Sequence, residues 1–76
     1  MNESIFRAWV AMIANQRELD LEAPENRYSV WSHDGVKPWF MGAFASHDEA
    51  LIAGRRTHSP STIYILTGSS GTLVQL

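Results

Sequence analysis

The stretch RYSVWSHDGVKPWFMGAF, residues 27–44, decides the fold, because turn chemistry and residue alternation agree there on a single register. Asp-Gly is favoured where a two-residue connection needs positive φ at both central positions, and the twist of that turn matches the twist of flanking strands. A hairpin closed at Asp34-Gly35 sets His33 opposite Val36, Ser32 opposite Lys37, Trp31 opposite Pro38, Val30 opposite Trp39, Ser29 opposite Phe40 and Tyr28 opposite Met41. Side chains alternate between the two faces of a strand pair. One face therefore collects Tyr28, Val30, Trp39 and Met41 and is expected to be core, while the other collects Arg27, Ser29, Trp31, Pro38 and Phe40.

Working outward, the preceding residues 3–20 carry Ile5, Phe6, Trp9, Val10, Met12, Ile13 and Leu19 at spacings of three and four, which predicts a helix with one wide apolar side. Asn2 or Ser4 is placed to cap it. The dipeptide Ala23-Pro24 ends that helix, since proline disfavours helical geometry in the residue before it. Beyond the hairpin, Ser46 and Glu49 form an S-x-x-E capping box that starts a second helix running to about Thr57. Ala50, Ala53 and Gly54 are small and allow that helix to approach a sheet closely. Ser59-Pro60-Ser61 closes it, and Ile63-Tyr64-Ile65-Leu66 reads as a strand. Gly68-Ser69-Ser70-Gly71 is a turn into a last strand, Thr72 to Leu76, with Thr67 expected opposite Thr72. The order α-β-β-α-β-β predicts an α+β fold, a two-layer α/β sandwich with a small four-stranded mixed sheet. Its second and third strands would be parallel if adjacent, joined by the helical crossover. Which face the first helix covers is left open by the sequence.

Seventy-six residues are enough for one domain with a single core. Their 45% hydrophobic content is that of a folding chain rather than a disordered one. No cysteine is present, so disulfides and thiolate metal sites are excluded, and a cytoplasmic setting is expected. No stretch has the apolar length of a membrane span or the pattern of a secretion signal, so no membrane partner and no processing are expected. Six Lys and Arg against eight Asp and Glu give a net charge of −2, which weighs against nucleic-acid binding driven by phosphate contacts.

The candidate chemistry is thin. His33-Asp34 and His47-Asp48 resemble ligand pairs, but Asp34 is read as a turn residue and Asp48 as a favoured acid in the first turn of a helix. Neither pair has the i, i+4 spacing that puts two ligands on one helical face. There is no G-x-S-x-G elbow, and the Gly68–Gly71 loop lacks the lysine and the following helix of a phosphate loop. No catalytic, cofactor-binding or metal-binding residue is therefore assigned, and the chain is read as a non-enzyme. Arg55 and Arg56, with His58, form one basic cluster, which also fits a helix end complementing its dipole.

What remains is a protein-binding reading. Trp31, Phe40, Tyr64, Leu66 and Leu73 fall on one sheet face, and if no helix covers them they form an apolar patch of the kind that marks interaction sites. Together with the Arg55-Arg56 edge they are the candidate contacts with a protein partner or with a second copy of the chain in a homodimer. In size and composition alone the chain resembles small accessory proteins of bacteria and phages, including inhibitors of host machinery such as anti-CRISPR proteins. That resemblance implies a single small module that occupies a partner protein's surface. Two other readings are a nucleic-acid-associated domain stacking bases on the aromatic face, and a small hydrolase or enzyme subunit.

Overall fold

The computed structural model describes residues 1–57 and 61–76. Helix α1 spans Glu3–Gln16, strand β1 Tyr28–His33, strand β2 Pro38–Phe44, helix α2 His47–Arg55, strand β3 Thr62–Thr67 and strand β4 Leu73–Gln75. The chain is α+β, as its sequence predicts. The sheet is not mixed: its order is β2-β1-β3-β4, and every neighbouring pair is antiparallel. β2 and β3 do run the same way, as a helical crossover requires, but β1 lies between them. β1 suits the central position, because Ser29, Val30, Trp31 and Ser32 are all buried, whereas β2 carries exposed Trp39 and Met41 at the sheet's edge.

Both faces of the sheet are covered. Phe6, Val10 and Ala14 of α1 pack with Trp31, Tyr64 and Leu66 on one face. Ala50 of α2 packs with Val30, Ile63 and Ile65 on the other, with Tyr28, Phe44 and Leu51 at its margin. The expected two-layer arrangement thus becomes helix, sheet, helix. Gly54 is what lets α2 lie close, since a methyl group there would meet Leu76 Cδ1 at 2.5 Å.

The hairpin closes differently from the sequence expectation. Asp34, Gly35, Val36 and Lys37 form a four-residue loop, and the pairs are His33 with Pro38, Ser32 with Trp39 and Trp31 with Phe40. Gly35 does take positive φ, at 94°. The loop is longer because the Asp34 carboxylate caps it, with Oδ1 accepting from Val36 N at 2.8 Å and from Lys37 N at 3.0 Å. Next to Trp31 the register shifts, so that Val30 faces Gly42 and Tyr28 faces Phe44, with Met41 as the extra residue. This bulge changes the face on which β2 points its side chains. Phe40 consequently packs under α1 and Phe44 under α2, which strict alternation would have put on one face.

The second hairpin keeps its expected register. Thr67 N donates to Thr72 O at 2.9 Å, and Leu66, Ile65 and Tyr64 pair with Leu73, Val74 and Gln75.

Helix ends follow local chemistry. Asn2 Oδ1 accepts from Ile5 N at 3.1 Å, and Ser46 Oγ accepts from Glu49 N at 3.2 Å, so both sequence-read caps are present. Ser46→Ala is expected to cost about 1 kcal/mol by removing that acceptor, a loss readable in thermal unfolding. α1 stops before Ala23-Pro24, in a Schellman arrangement with Leu19 N on Ala14 O at 2.8 Å and Glu18 N on Asn15 O at 3.1 Å. Glu18 there has φ of 54°, a conformation that costs a residue bearing a Cβ about 1 kcal/mol. Glu18→Gly should therefore raise stability by roughly 0.5–1 kcal/mol, because glycine adopts that φ without the steric cost. Chemical denaturation of the two proteins checks this, with an unchanged slope.

Candidate functional site

The five aromatic and aliphatic residues assigned to a binding face do form one contiguous group. α1 sits on top of it. Trp31, Tyr64 and Leu66 are buried, and Phe40 and Leu73 are partly buried against the same cluster. Trp31 has 0% of its surface exposed, and its indole N–H donates to Ser29 Oγ at 2.7 Å. This face is interior, with the ring of Phe6 of α1 tilted against that of Tyr64, centroids 5.2 Å apart. Arg55 and Arg56 remain exposed at the end of α2, while His58, read with them as a basic cluster, lies outside the described residues.

An apolar surface exists elsewhere. α1 buries Phe6, Val10 and Ala14 and packs Ile13 partly against the same cluster, but Ile5 is 55% and Met12 43% exposed and Trp9 is half-buried. Ile5, Trp9 and Met12 recur at spacings of four and three, so they form a second stripe along the helix. With Ala8 they line a shallow apolar hollow. Trp9 and Met12 continue into a cleft of about 340 Å³ between α1 and β2, bounded also by Ile13, Gln16, Arg17, Lys37, Pro38, Trp39 and Phe40. Trp39, expected in the core, is 50% exposed and forms one wall.

Electrostatics fix the shape of this wall. Trp39 Nε1 donates to Asp34 Oδ2 at 2.8 Å, which locks the indole against the hairpin loop. Lys37 Nζ lies 4.4 Å from the centre of the Trp39 ring and 5.9 Å from that of Trp9, and the Arg17 guanidinium lies 5.3 Å from Phe40. Both cations are thus held over aromatic faces. Asp34 is correspondingly acidic. The Trp39 indole, followed by the Lys37 and Val36 amides, donates to its ionised form and pushes its pKa down to about 2. A carboxyl whose folded pKa lies below its unfolded value of about 3.9 contributes stability above that value and loses it as pH falls through the folded one. The Trp39 indole N–H resonance should accordingly titrate with a midpoint near pH 2, and in Asp34→Asn this transition should vanish.

A second tether steadies the opposite end of α1's connection. Ser69 N and Oγ both donate to Glu22 Oε1, which holds the Glu22 carboxyl below its usual range, and Arg7 Nη2 donates to Gly71 O at 2.8 Å. Among the described residues, no three His, Cys, Asp or Glu side chains cluster as they would to hold a metal ion. Neither does any described helix have the length and apolarity to cross a membrane.

The sequence signals only the helix wall of the cleft, as the excess width of α1's apolar stripe. Ile5, Trp9 and Met12 are more than a helix of that length needs on one sheet face. The sequence reading puts Trp39 in the core on its correct face, and its exposure follows from the place of β2 at the sheet's edge. Comparison of the chain with protein-family models, with curated proteins and with solved structures returns no match.

Proposed function

We propose that this chain is a small non-enzymatic protein-binding module, of the accessory or inhibitor kind, that acts by occupying the surface of a partner protein. The contact surface in this reading is the outer stripe of α1 and the adjoining edge of β2, rather than the sheet face beneath α1. One observation carries it: the core is complete without Ile5, Trp9, Met12 and Trp39, yet these four large apolar residues stand together on adjoining elements at the surface. Scattered exposed hydrophobes are ordinary, but a contiguous group containing two tryptophans is the composition of an interaction hot spot.

The test is affinity capture from the native host, comparing the wild-type chain with a Trp9→Ala/Trp39→Ala double variant at a temperature where circular dichroism shows both to be folded. A protein retained by the wild type and lost by the variant is the expected result. Equal retention by both chains would move the contact away from this surface, to the Arg55-Arg56 edge.

A further inference from the structure

We infer that the cleft between α1 and β2 receives an acidic segment of the partner protein, in which a large apolar side chain is flanked by aspartate or glutamate. This rests on the protein-binding reading and adds the chemistry of the occupant.

The cleft's lining contains two cations, Arg17 and Lys37, and no carboxylate. Among the described residues neither cation forms an ion pair, the salt bridge present being Arg7 with Glu3 at 3.5 Å. Asp34, in the loop beside the cleft, has its carboxylate engaged by Val36 N, Lys37 N and Trp39 Nε1. Cation–π stacking holds both positive groups in place, but it leaves their N–H donors unused: three on the lysine ammonium and five on the guanidinium. A carboxylate reaching either one would gain charge-assisted hydrogen bonds with little ordering cost to the protein side. Between the cations the walls are apolar and aromatic, from Trp9, Met12, Ile13 and Trp39, which suits a bulky apolar side chain.

The same features argue against other occupants. A second copy of this chain docked symmetrically would bring Lys37 and Arg17 toward their own equivalents, and like charges in a closed interface oppose association. A nucleic-acid strand could stack on the indoles, but it gains affinity through many phosphate contacts, and a chain of net charge −2 with two cations here offers few.

The experiment follows the three indole N–H resonances of ¹⁵N-labelled protein while defined probes are added. The probes are a short peptide with Leu-Phe-Leu between runs of Asp and Glu, its counterparts with Lys or with Gln at every acidic position, and oligothymidylate. The acidic peptide should shift Trp9 and Trp39 saturably and leave Trp31 in place. Lys37→Met and Arg17→Met should each weaken that binding about tenfold, the loss of one charge-assisted contact, with thermal midpoints close to wild type. Shifts of equal size and affinity with the Lys or Gln peptide would overturn the acidic assignment while leaving the cleft as a protein contact. Stronger binding of oligothymidylate would overturn it in favour of nucleic acid. Resonances that move with protein concentration alone would overturn it in favour of a homodimer. Silence of both indoles toward every probe would also overturn it, and the capture experiment would then judge the protein-binding reading separately.

Discussion

Trp31→Ala should unfold much of the population, and Trp39→Ala should not. Trp31 is wholly buried at the centre of the sheet, where its ring meets Phe40 edge-on with centroids 5.2 Å apart. Truncating a buried aromatic costs about 3–5 kcal/mol from lost burial and the cavity left behind. The change also strips Ser29 Oγ of the indole donor it accepts from within the core. A chain of this size is held by roughly 4–11 kcal/mol in total, so the loss takes a large share of its stability. Trp39→Ala removes a half-exposed ring, one hydrogen bond to Asp34 and one lysine contact. The expected cost is about 1 kcal/mol, a lowering of the melting temperature by roughly 4–8 °C. Thermal unfolding of both variants, followed by far-ultraviolet circular dichroism, checks the contrast.

Phe6→Ala should match Trp31→Ala in size, at about 3–5 kcal/mol, although it lies on the helix rather than in the sheet. Phe6 is buried and its ring contacts Tyr64 at 5.2 Å and His33 at 5.7 Å, so it joins α1 to two strands at once. Its neighbour Ile5 is also apolar but is 55% exposed, and Ile5→Ala is expected to change stability by less than about 0.5 kcal/mol. Urea denaturation of the pair reads this difference directly. Equal losses would mean that α1 is rotated from the orientation described.

The contrast between these residues marks where sequence reasoning was sufficient. Caps at Asn2 and Ser46, the small residues of α2 and the Thr67–Thr72 register follow from interactions within a few residues, and all four are found. Alternation along Tyr64, Leu66 and Leu73 also assigned faces correctly, because no irregularity interrupts β3 or β4. In the first hairpin, two choices separated by small energies changed the result. The Asp34 side chain capped a four-residue loop in place of a two-residue turn, and one extra residue at Met41 exchanged the faces of the strand's end. The longer loop slides Trp39 by two residues, from Val30 to Ser32, which keeps it on the expected face. Trp31 is core because α1 covers its face, and Trp39 is exposed because β2 lies at the sheet's edge. Strand order was not legible either, since no local pattern marks β1 as the strand that pairs with both β2 and β3. The candidate cleft fell outside reach because Lys37, Trp39 and Trp9 come together only once the loop and the packing of α1 beside β2 are set.

The central claim is that α1 seals the aromatic sheet face and leaves a different pair of tryptophans at the surface. Hydrogen–deuterium exchange of the three indole N–H groups tests it most directly. Trp31 should exchange slowly, as a buried donor bonded to Ser29, with protection approaching that of the core amides. Trp9 and Trp39 should exchange rapidly. A Trp31 indole that exchanges as fast as Trp39 would contradict the account, because the sheet face would then be open to water and α1 would lie elsewhere.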